Sequence, residues 1–194
     1  MSDSQEEFMK NTKTLVMCAL LTAIVVVLQY LGSFVRFGPF SISLVLIPIV
    51  VGAALCGKGA GAWLGFAFGI VVLMTDSAAF MAISPVGTVA TVLVKGAAAG
   101  LCAGLVYSTL NKKSIYFAAL AAAIVCPIVN TGVFLIGCRL FFMETLAQWG
   151  AAAGFESVGS YIIVGMVGIN FVAELLVNVL LSPIIVRLIK IRNI

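Results

Sequence analysis

Three side chains able to hold a polar molecule recur at one spacing near the C-terminus. Asn170, Glu174 and Asn178 lie four residues apart in an otherwise apolar run from Val158 to Lys190. On an α-helix that spacing sets all three on one face, one turn above the next. A carboxylate deep in so apolar a helix is expensive against hydrocarbon, so it is expected to face protein or a polar cavity. Lys95 is a second isolated charge. It falls about ten residues inside its own apolar run, roughly 15 Å at 1.5 Å per residue, too deep to reach that surface easily. Asn130 follows Pro127 in a third apolar run, and Arg139 stands near that run's end.

Two readings of these groups stay open. Lys95 and Glu174 pairing with each other would explain both charges, and Asn130 would then only satisfy the backbone carbonyl freed by Pro127. Alternatively, the three runs line one cavity. Lys95, Asn130, Arg139, Asn170, Glu174 and Asn178 then form a site for a small polar solute that carries an anionic group. Catalysis is not expected: the chain has no histidine, no nucleophile–base pair, no metal-ligand cluster and no phosphate-cradling glycine motif. No cofactor and no metal are expected either.

Such groups need elements to carry them, and composition names the kind. Hydrophobic residues make up 63% of the 194 residues and charged residues 9%, against about 25% charged in a soluble domain. The chain reads as an all-α integral membrane protein. Its length has room for six transmembrane helices in one compact bundle, at about 20 apolar residues each. Residues 1–11 form an N-terminal segment and 12–194 the membrane domain. The first apolar run is too long for a cleavable signal peptide. The five cysteines form no C-x-x-C pair and read as small buried hydrophobes.

The expected helices run over about 12–32, 41–56 with Pro48 inside, 60–75, 86–110, 115–143 and 158–190. Gly57, Gly61, Gly65 and Gly69 form one four-residue seam and Gly96, Gly100 and Gly104 another; each permits close backbone packing. Ala19 and Ala23 make a smaller step of the same type, explicable by packing within the chain. Eight basic residues sort to one side of six alternating spans and Arg36 and Arg139 to the other, with Lys95 inside. The positive-inside rule then makes both termini cytoplasmic. The external loops carry Phe37 and Phe40, then Asp76 and Ser84, then Trp149 in the segment 146–160. These five are candidates for an outer gate over the cavity; the aromatic ones serve equally as membrane anchors.

At this point the chain resembles the substrate-binding S components of energy-coupling factor (ECF) transporters. The resemblance rests on Ala19-Leu-Leu-Thr-Ala23 in the first helix, on Gly38 to Pro48 and Val51 to Gly61 around the second and third, and on Asn130-Thr131 and Asn170-x-x-x-Glu174 in the later ones. It covers nearly the whole chain past Thr12. It implies a multi-pass subunit of a bacterial plasma membrane that binds a vitamin or related micronutrient. The partners implied are a membrane coupling (T) subunit, met by Ala19 and Ala23, and two ATP-binding subunits. The later helices look like the pantothenate-type branch, and no aromatic-rich pocket for a flat ring is evident. Lys95 or Arg139 would then meet the carboxylate, and Asn170, Glu174 and Asn178 the hydroxyl and amide groups. Two rivals remain: a stand-alone proton- or ion-coupled carrier with Glu174 taking the proton, and a scaffold whose Lys95–Glu174 pair only fixes packing.

Overall fold

The computed structural model describes the backbone at 3–34, 36–37, 40–41 and 44–192 and the side chains at 11–34 and 44–191. Its long helices are α1 (Asp3–Gly32), α2 (Leu46–Cys56), α3 (Lys58–Thr75), α5 (Pro85–Leu110), α6 (Ile115–Phe141) and α9 (Ile169–Arg192). Shorter ones are α4 (Ala78–Met81), α7 (Met143–Ala152) and α8 (Val158–Ser160), and a π-helical stretch, Tyr161–Gly168, joins α8 to α9. Two-residue strands, Arg36–Phe37 and Phe40–Ser41, pair antiparallel between α1 and α2. The side chains of the gate candidates Phe37 and Phe40 lie outside the described residues.

Among the described residues, five helices are long and apolar enough to cross a membrane: those over Asn11–Gly32, Lys58–Thr75, Pro85–Leu110, Ile115–Phe141 and Val158–Ile191. The sixth expected span is α2, with only 11 residues. At 1.5 Å per residue it reaches about half of a ~30 Å hydrocarbon layer. Pro48 falls in its first turn, where the missing N–H costs no helical bond. Gly57, with φ 93°, ends it in a conformation that a side chain disfavours. The expected loop that carries Asp76 and Ser84 contains α4, and the segment 146–160, also expected as a loop, is largely helical.

Leu46, Ile49, Val50, Val51 and Ala53 of α2 are all buried, so this helix is apolar all round and sits inside the bundle. It touches α1, α3, α5, α6 and α9. The largest interface, α3 against α5, is made by the two glycine seams meeting antiparallel. A methyl group on Gly65 would strike the carbonyl of Gly96, and one on Gly61 the carbonyl of Gly100. Neither leaves room for a side chain, which is why both helices carry glycine every fourth residue.

Apolar packing divides into two clusters. The larger joins α2 to Leu64 and Phe68 of α3, Ala99 and Ala103 of α5, Ala118 to Cys126 of α6 and Ile185 to Ile189 of α9. The smaller holds Phe80, Cys138, Phe142, Leu146 and Met166. The turns at Gly57 and Asn111–Ser114 and the end of α9 gather Lys58, Lys112, Lys113, Arg187 and Lys190 at the larger cluster's end. There Lys190 donates to the Tyr116 hydroxyl at 2.8 Å and lies 4.6 Å from its ring centre. Because α2 is a half-length plug, it fills the bundle at that end only.

Candidate functional site

Above the plug, between the two apolar clusters, lies a cavity of about 60 Å³ walled by α1, α3, α5, α6 and α9. Lys95, Asn130, Asn170 and Glu174 all line it, with Asp76 at the C-terminal cap of α3. Val72, Thr131, Phe134, Val167 and Phe171 also line it. Asn130, Asn170 and Glu174 are each more than nine-tenths buried. Asn170 and Glu174 share the cavity face because four residues are close to one turn. The π-helical stretch ends two residues before Asn170, and its wider turns change the phase with which α9 presents those two side chains.

Lys95 lies 5.3 Å from the ring centre of Phe134 and 5.6 Å from that of Phe68. An ammonium at such distances over aromatic faces is attracted by their negative π clouds. The carboxylates of Glu174 and Asp76 line the same cavity as its ammonium. Lys95 and Glu174 are thus neighbours across one cavity.

Several expected residues stand elsewhere, for geometric reasons. Arg139 is exposed. It follows Asn130 by nine residues, two and a half turns, which carries it to the opposite face of α6. Asn178 is wholly buried and its amide donates to the Glu174 carbonyl at 2.8 Å. Eight residues from Asn170 the helical phase has drifted by about 80° and the chain by about 12 Å, out of the cavity. Ser84 caps α5 by accepting from the Gly87 N–H at 3.2 Å. Trp149 packs edge-on against Phe80, 5.7 Å between ring centres, in the smaller apolar cluster. Neither Ser84 nor Trp149 lines the cavity. Ala19 and Ala23 are exposed, so packing within the chain does not explain their spacing.

Among the polar cavity residues, Gln29 was not expected to line a site. Gln29 of α1 is 1% exposed, and its Nε2 donates to the Asp76 carboxylate at 2.9 Å. The sequence does carry its signal: Leu21, Val25 and Gln29 recur every fourth residue, and this is the buried stripe of α1.

The family model for the ECF transporter, substrate-specific component, matches residues 13–186. The chain belongs to that family. No curated protein and no solved structure matches it significantly. As an S component it is a membrane transport subunit rather than an enzyme, and its family works with a solute, a coupling subunit and ATPase subunits. The S component's polar groups converge where its plug helix stops short, and they could hydrogen-bond a buried polar solute and balance its charge.

Proposed function

We propose that this S component binds a vitamin-like, water-soluble micronutrient with high affinity in the cavity above α2, for import by an ECF-type transporter. The observation that carries this reading is the convergence of Lys95, Asn130, Asn170 and Glu174 from three helices on one cavity. A flexible solute with a carboxylate, hydroxyls and an amide suits these groups, and pantothenate is the best candidate. Lys95 would meet its carboxylate, and Asn130, Asn170 and Glu174 its hydroxyl and amide groups. At about 60 Å³ the cavity is well below the ~300 Å³ of common small-molecule pockets. The solute is therefore admitted by outward movement of the walls.

The membrane is the bacterial plasma membrane, with both termini and the basic end of the bundle cytoplasmic, in accord with the positive-inside rule. The cavity then lies toward the outer face, under the loops that follow α1, α3 and α6. Ala19 and Ala23 are the contact for the coupling subunit: both are exposed, and small residues let a second helix approach closely. Native mass spectrometry of protein purified in mild detergent from rich medium tests the reading. A single co-purifying small molecule, named by its mass, is expected. Recovery of nothing, even after incubation with a panel of vitamins, would overturn it and favour the proton-coupled carrier, in which buried Glu174 takes the proton.

A further inference from the structure

The cavity has a second lobe of about 30 Å³, which shares Val72, Asp76, Lys95 and Phe134 with the first. Lys95 and Asp76 thus stand at a waist between two chambers. Three hydroxyls line the smaller chamber. Ser77 donates to the Val72 carbonyl at 2.9 Å and Thr88 to the Ser84 carbonyl at 2.8 Å. Thr91 differs: it is 5% exposed, and its Oγ1 has no hydrogen-bond partner among the described residues. Its side chain rests against Gly137 of α6, where a methyl group would take its place. In the larger chamber, Gln29 spends its Nε2 on Asp76, while its buried Oε1 has no partner. A buried polar atom left without a partner costs free energy comparable to a lost hydrogen bond. Each chamber therefore holds a side chain off the Asn170–Glu174 face with an unused hydrogen-bonding atom: Gln29, with the Asn130 Oδ1 beside it, in the larger and Thr91 in the smaller.

We infer that the solute is elongated and bridges both chambers past Lys95, one end giving a hydroxyl or N–H to Gln29 and the other exchanging a hydrogen bond with Thr91. A compact solute confined to one chamber would leave the other atom unsatisfied. This selects a two-ended molecule with polar groups at both termini and its charged group near the waist. The inference rests on the reading of the cavity as the solute site.

The test is calorimetric titration of the detergent-purified protein with pantothenate, thiamine, riboflavin, pyridoxine, niacin and biotin. The proteins compared are wild type, Gln29→Met, Thr91→Val and the double variant. For whichever probe binds wild type, each single variant should weaken binding roughly three- to tenfold, the range of one neutral buried hydrogen bond. The double variant should lose the product of the two. Thr91→Ser, which keeps the hydroxyl, should restore wild-type affinity; a loss due to packing alone would not be restored. Gln29→Asn withdraws the same oxygen with little change in volume and replaces Gln29→Met if the latter misfolds. An effect at only one of the two positions would place the solute in a single chamber and overturn the inference. So would no effect at either, and if Glu174→Ala still weakened binding in that case, the cavity reading would stand alone. Binding of no probe by wild type would remove both.

Discussion

Glu174 is 6% exposed on a helix otherwise built for an apolar setting. A hydrogen bond to an ionised group is worth about 1.5–3 kcal/mol, so Glu174→Ala should weaken solute binding by roughly ten- to a hundredfold in a calorimetric titration. An unchanged dissociation constant would remove Glu174 from the site. Two neighbours in sequence logic should behave differently. Arg139→Ala removes an exposed charge on the far face of α6, and the dissociation constant should stay within about twofold of wild type. Asn178→Ala removes a buried amide bonded to the Glu174 backbone. It should change thermal stability by about 1 kcal/mol with affinity little altered. The spacing that made Asn170, Glu174 and Asn178 look equivalent is a straight-line approximation to a helix. It holds over one turn and fails over two, because 3.6 residues per turn is not four.

The elements obey a similar division between composition and arrangement. Two glycine seams were visible as seams, but nothing in either says that they meet. The antiparallel run of α3 and α5 brings Gly61 to Gly100 and Gly65 to Gly96. Gly65→Ala should therefore destabilise the bundle by about 1–3 kcal/mol, the usual cost of overpacking, read as a lowered melting temperature in detergent. Gly132→Ala is the control: a methyl group there meets nothing within 4 Å, and the melting temperature should hold or rise slightly, since alanine is the better helix former. A seam mutant that melts like wild type would contradict the interface. The plug helix is the other element-scale feature. Its 11 residues leave the space that the polar groups line, so the cavity is a consequence of a missing half-span as much as of the residues around it.

At the scale of the molecule, α1 serves two sides at once. Leu21, Val25 and Gln29 face inward, with Gln29 in the cavity wall, while Ala19 and Ala23 face outward. Ala23→Leu should therefore weaken co-purification of the coupling subunit and leave solute affinity unchanged. Equal loss of both would show that the outer face of α1 is not a docking surface. Uptake in cells lacking the coupling and ATPase subunits should vanish. Uptake that persists and collapses with an uncoupler would instead mark a stand-alone carrier.

The amino-acid sequence by itself determined the membrane class, the places of the long helices, the small-residue seams and the polar residues too costly to face lipid. Each of these follows from local composition and from a period of 3.6, so each survives without knowledge of neighbours. The match over residues 13–186 bears out the resemblance at the level of the S-component family. Only the tertiary structure decided which polar residues share a space. Lys95, Asn130, Asn170 and Glu174 converge, Arg139 and Asn178 do not, and Gln29 joins them from near the end of the first helix. The physical reason is that convergence depends on how helices are rotated and how far each extends. Those quantities are set by packing, here by a buried half-length helix and by glycine contacts between α3 and α5, and no local pattern encodes them.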